Sequence, residues 1–156
     1  MLIINIPGRE QMEIKNIVFD YNGTVATDGI ISEETKKNII KLKELADIYI
    51  VTADTNGTVR ENCASLGVKI RTFPKENAGA EKKRIVESLN ARATICIGNG
   101  YNDMLMAEKC ALFICILGKE GCYGQLLSLS DVVVTSIDDA LELILKPHRL
   151  IATLRS

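Results

Sequence analysis

"NIVFDYNGTVATDGI", residues 16–30, is the stretch whose reading decides the fold. An apolar run, Ile17-Val18-Phe19, drives into a single carboxylate, Asp20, and the chain bends at once through Asn22-Gly23-Thr24. An acid at that point is either ordinary turn chemistry or a charge held at the rim of a sheet. What lies on either side chooses between the two.

Upstream, residues 2–6 and 12–14 flank Pro7-Gly8-Arg9-Glu10 and predict a small hairpin. Downstream, residues 25–31 contain Asp28-Gly29 and predict a second one, either a sheet extension or a flap. Ser32 is placed to cap a helix over 33–45. Beyond it the pattern alternates. Strands are expected at 48–52, 68–72, 94–97, 112–117 and 131–134, and helices at 57–66, 78–89, 103–109, 121–128 and 137–145, with one further turn after Pro147. Strands that are apolar throughout and separated by helices predict an α/β fold: a Rossmann-like parallel sheet with helices on both faces. Such sheets bind ligands beyond the carboxyl ends of their strands. Asp20, then Thr52 with Asp54, then Asn99 with Asp103 stand at those ends. Any one of them is common; all of them together indicate a site.

Composition narrows the classes. With 156 residues the chain is expected to form a single domain over 1–156, and 47% hydrophobic residues supply a core. A net charge of −1 with interspersed signs argues against nucleic acid, and the absence of Trp argues against stacking platforms. The apolar run 111–117 is too short to span a bilayer, and no basic, then apolar, leader opens the chain. No membrane association and a cytoplasmic location are expected. Five cysteines without a C-x-x-C pair predict small buried side chains, neither disulfides nor a zinc site. His148, the lone histidine, is expected at the surface.

"VFDYNGT" resembles the first motif, D-x-D-G-T, of the haloacid dehalogenase superfamily, with Asn22 at the second Asp. "IYIVTADT" resembles its second motif, "EKKRIVESL" offers a lysine for the third, and "CIGNGYNDML" resembles the fourth, G-D-G-x-N-D, with Asn99 at the first Asp. Order and spacing match over about residues 12–146. Thr52-Ala53-Asp54 is similar to the T-G-D of P-type ATPase phosphorylation domains, so the resemblance points to the small proteins called soluble P-type ATPases. It implies a capless, Mg²⁺-dependent phosphohydrolase acting on a small phosphorylated molecule through an aspartyl-phosphate. Asp20 would be the nucleophile, and Thr52 and Lys82 (or Lys83) would contact the phosphoryl group. Gly23, Thr24, Ala53, Asp54 and Asn102 would line its pocket. Asp20, the Asn22 main-chain carbonyl, Asn99 and Asp103 would hold Mg²⁺, directly or through water. With no cap insertion, the site would be covered by a neighbouring subunit of a homo-oligomer or would accept a large substrate.

Two positions depart from the motifs. Asn22 cannot protonate a leaving group or activate water, help typically worth ~10²–10⁴ in rate, so slow turnover is expected. Asn99 offers a neutral amide oxygen and predicts weaker Mg²⁺ binding. A non-hydrolytic phosphate-binding or sensing module is the alternative. A receiver-like domain fits poorly, because receivers carry their phosphorylated Asp on a later strand. Both amides also precede Gly, the context in which Asn deamidates most readily, although ordered turns slow that reaction.

Overall fold

The computed structural model describes residues 1–55 and 57–156. In chain order, β1 (Leu2–Ile4) and β2 (Met12–Ile14) pair antiparallel, and β3 (Asn16–Asp20), α1 (Glu33–Leu42), β4 (Asp47–Thr52), α2 (Thr58–Cys63) and β5 (Lys69–Thr72) follow. Then come α3 (Ala78–Ser88), β6 (Thr94–Gly98), α4 (Met104–Ala107), β7 (Leu112–Ile116), α5 (Leu126–Leu129), β8 (Val132–Val134), α6 (Ile137–Leu145) and α7 (Pro147–Leu154). Among the described residues the larger sheet has the strand order β5-β4-β3-β6-β7-β8, and each neighbouring pair is parallel. This is the predicted α/β, Rossmann-like layering. The chain runs from β3 outward to β5, then returns to the far side of β3 as β6. The switch point therefore lies between β3 and β6, where Asp20 and Asn99 leave the sheet.

Period-two alternation sends the strand residues to two cores. Ile17, Phe19, Ile48, Ile50, Ile95, Ile97, Leu112 and Ile114 face one side, with residues of α1, α6 and α7. Val18, Tyr49, Val51, Cys96, Phe113 and Cys115 face the other, with α3, α4 and α5. Asp20 lies two residues beyond Val18 and so projects toward α3.

Several boundaries differ from the sequence reading. Helix α1 is capped by Ser32, whose Oγ accepts from the Thr35 amide at 3.1 Å, but it stops at Leu42. There the tighter bonds Glu44 N–H to Lys41 O and Leu45 N–H to Leu42 O close the last turn. The hairpin over residues 25–31 is reduced to a single antiparallel bridge: Thr27 and Ile30 exchange reciprocal 3.0 Å bonds across the Asp28-Gly29 turn, whose φ values are 51° and 75°. The expected helix over 121–128 begins only at Leu126. Gly121 has φ 76°, and the Tyr123 amide is spent on Asn99 O, which removes the first helical turn. Helix α7 runs further than one turn because Pro147 sets its start and Leu150 and Leu154 bury.

Candidate active site

Strand β3 ends with Asp20 nine-tenths buried at the mouth of a cleft of about 910 Å³. The turn after it is tight because Gly23 adopts φ 74° and its amide bonds Ala26 O at 2.9 Å. A Cβ at Gly23 would stand 2.3 Å from Asn99 Nδ2, so only glycine lets the two loops meet there. Helix α3 carries Lys82 to the same point. Its side chain is 1% exposed, and Nζ donates to Asp20 Oδ1 at 2.8 Å, Asp103 Oδ1 at 2.7 Å and Asn102 Oδ1 at 2.8 Å. Lys83 is only half-buried, and Lys82 is the lysine the fold brings to Asp20.

Asp103 is fully buried beneath the cleft floor. Its Oδ2 accepts the Asn99 and Gly100 amides at 3.1 and 3.0 Å, which fixes the loop after β6. Gly98 is required here too: a Cβ would lie 2.4 Å from Asp103 Oδ2. Two buried carboxylates thus share one ammonium. Burial pushes the Asp20 carboxyl up to about 7, reinforced by the Asp103 charge and opposed by Lys82. For Lys82, burial pulls the pKa down, but the two carboxylates outweigh it and the net shift is upward.

Of the sequence candidates, Asp20, Asn22, Thr52, Ala53, Asp54, Lys82, Asn99 and Asn102 line this one cleft. Gly23 and Thr24 instead border a neighbouring cavity of about 460 Å³ behind the turn. The Thr24 hydroxyl lies 3.5 Å from Asp20 Oδ2 and 3.3 Å from Asn99 Oδ1, so it reaches the site from below. Thr52 Oγ1 accepts the Asp54 amide at 3.1 Å and fixes the loop after β4. The side chain of Asn22 is exposed. The nitrogens that would attack either Asn in deamidation are both engaged, Gly23 N with Ala26 O and Gly100 N with Asp103 Oδ2.

Sequence reasoning missed the flap's attachments. Asn62 on α2 donates to Tyr21 Oη at 2.9 Å and to Gly29 O at 3.2 Å, and the Asp28 amide reaches Glu120 Oε2 at 3.2 Å. Nothing local in the sequence links these residues. Lys75 and Glu76 also line the cleft, and their place just after β5 was the available signal.

The donors around Asp20 are carboxylate, amide and main-chain oxygens, which suit a hard cation. Among the described residues no group of at least three His, Cys, Asp or Glu side chains could hold a metal alone. Neutral oxygens and water would have to complete the shell, as Mg²⁺ accepts. A cation would also offset the Asp20 charge that one lysine leaves undercompensated.

No protein-family model matches the chain. The uncharacterized protein MJ0073 of Methanocaldococcus jannaschii is 41% identical over 88 residues, covering 52% of this chain and 95% of that protein. The chain belongs to its family. A soluble P-type ATPase-like phosphatase from the same organism is 25% identical over 123 residues, 77% of this chain, which spans only 45% of that phosphatase. Among solved structures, 3-deoxy-D-manno-octulosonate 8-phosphate phosphatase from Moraxella catarrhalis, in complex with magnesium, phosphate and KDO, superposes with a TM-score of 0.73. The two are 20% identical, and the match covers 92% of this chain and 94% of the other. Hydrolases of the haloacid dehalogenase superfamily superpose in the same way, and the fold is theirs. Among the described residues no helix is long and apolar enough to cross a membrane.

Proposed function

We propose that residues 1–156 act as a single Mg²⁺-dependent phosphohydrolase domain working through an aspartyl-phosphate on Asp20. One observation carries the reading: a carboxylate at the switch point, open to a cleft, is held by a buried lysine that a second buried carboxylate anchors. The phosphatases that share the fold, one of them with magnesium and phosphate, support it, as does the name of the M. jannaschii relative.

Asp20 Oδ2, the oxygen not held by Lys82, is the attacking atom. Its attack breaks the bond from phosphorus to the substrate's leaving oxygen and makes an acyl-phosphate, which water then hydrolyses to release phosphate and restore Asp20, so one reaction becomes two easier steps. Lys82 places positive charge beside the transferred group, and Thr52 and Asn102 offer hydrogen-bonding groups around it. The Asp20 carboxylate, the Asn22 main-chain carbonyl, Asn99 and Asp103 would hold Mg²⁺ directly or through water. When bound, it neutralises phosphoryl charge and orients the group for in-line displacement. Asn22 does not titrate, so no proton reaches the leaving group from that position. Turnover is slow and good leaving groups are favoured. The substrate is a small phosphorylated molecule, handled in the cytoplasm. The cleft's opening suits cover by a second copy of the chain.

The test is p-nitrophenyl phosphate or acetyl phosphate with Mg²⁺, using wild type, Asp20→Asn and Asn22→Asp, with mass spectrometry of quenched protein. Wild type should gain one phosphoryl group on Asp20, Asp20→Asn none, and Asn22→Asp should turn over faster, by up to ~10². Equal, negligible rates and no adduct in wild type and Asp20→Asn would overturn the reading in favour of a non-hydrolytic binding module.

A further inference from the structure

Asn99 stands where the superfamily motif carries an acid, and in isolation it reads as a weakened cation ligand. The structure gives its amide other partners. Asn99 Nδ2 donates to Gly121 O at 3.2 Å, while the Asn99 main-chain carbonyl, a contact that any residue would keep, accepts the Tyr123 amide at 2.8 Å. A backbone carbonyl only accepts, so the NH₂ end must face Gly121 and the oxygen end must face Thr24, whose hydroxyl lies 3.3 Å away. The segment 118–123 is thereby gripped on both sides of Cys122. It is also pinned by the 3.0 Å bond from the Gly121 amide to Gly118 O and by edge-to-face packing of Tyr123 on Tyr101, with centroids 5.1 Å apart.

The same segment reaches the flap. Glu120 Oε2 accepts the Asp28 amide at 3.2 Å, and the next residue, Gly29, lines the cleft that holds Asp20. A continuous path thus runs from the loop after β6, through Asn99 and segment 118–123, to the flap tip. We propose that Asn99 is a positioning residue: its amide clamps segment 118–123, and through Glu120 the flap, against the phosphoryl site. A carboxylate at this position could not donate to Gly121 O and would face that carbonyl with like charge. The two motif departures then differ in kind. Asn22 is exposed and leaves a role vacant, whereas Asn99 has taken on a role that an acid cannot fill. The clamp rests on hydrogen bonds alone, and only its effect on turnover rests on the function proposed above.

The experiment is amide hydrogen exchange on metal-free full-length protein, comparing wild type with Asn99→Asp, Asn99→Ala, Glu120→Ala and Asn22→Asp. Loss of the side-chain bond to Gly121 O should loosen segment 118–123 and speed exchange of the Gly121 amide, which bonds Gly118 O, about tenfold in both Asn99 variants, the scale of one hydrogen bond. Asp28 exchange should rise in those variants and in Glu120→Ala, and Asn22→Asp should leave both sites unchanged. Unchanged Gly121 exchange in Asn99→Ala overturns the proposal, because the uncharged variant removes the donor to Gly121 O without adding repulsion. Exchange in β4 serves as the folding control. A second readout is the split between kcat and KM for p-nitrophenyl phosphate. Both Asn99 variants should lose kcat with KM within about twofold, since the cleft lining is otherwise intact. A gain in kcat for Asn99→Asp would overturn the positioning role and leave Asn99 only its part as a neutral cation ligand. Should wild type show no hydrolysis, the exchange data still decide the clamp.

Discussion

One side of the central sheet packs Ile17, Phe19, Ile50, Ile97 and Ile114 with α1, α6 and α7, and its buried members are mostly aliphatic. The other packs Val18, Tyr49, Cys96, Phe113 and Cys115 with α3, α4 and α5, and it is the side on which Lys82 penetrates to Asp20 and Asp103. The same strands build both. The first side is an apolar layer whose members are exchangeable for others of like volume. The second is interrupted by three ionisable groups that tolerate burial only because each has a partner; among the described residues no buried polar side-chain atom lacks one. The aliphatic packing is concentrated on one side of the sheet and the buried charges on the other.

Lys82→Met should break this division most severely. It strands two buried carboxylates, costs about 3–5 kcal/mol and abolishes phosphorylation of Asp20. Denaturant unfolding and quenched-protein mass spectrometry read the two effects. The cost depends on pH with a definite sign. Burial holds the folded Asp20 carboxyl up at about 7, above its ordinary value of 3.8, so the stability gained by protonating it is present below 3.8 and lost as pH rises through about 7. Removing the lysine raises that carboxyl further, so the variant should be more destabilised at pH 8 than at pH 5.

Ile39→Ala probes the opposite side. Ile39 is fully buried on α1, and its truncation should cost about 2–5 kcal/mol in unfolding free energy. At temperatures where the variant is folded, KM and kcat for p-nitrophenyl phosphate should match wild type; a change in either would mean that the two sides are coupled.

Thiol labelling gives the smallest effect and reads thiol burial without mutation. Cys110 and Cys122, half-buried on the side of α3 to α5, should alkylate first at pH 8. Burial pushes the Cys63 thiol, on the opposite side, up to about 11, and that of Cys115 up to about 12, with Cys122 adding to the latter. The thiolate is the reactive form, so labelling of these two should stay slow until pH nears those values. Mass-mapped iodoacetamide labelling against pH checks the order.

The sequence by itself determined the layering, because runs such as Ile17-Val18-Phe19 and Leu112-Phe113-Ile114 are apolar on both faces and suit only a covered parallel sheet. It also placed Asp20, Thr52 and Asn99 at strand ends, since a strand's polar terminus is a local feature. Lys82 was legible to within one residue: a charge run on a helix does not say which member turns inward, and only the packing of α3 against the loop after β6 decided it. The attachments of the flap by Asn62 and Glu120, and the clamp at Asn99, belong wholly to the tertiary structure. They join residues far apart in the chain through single hydrogen bonds, and no periodicity or local propensity records such a contact.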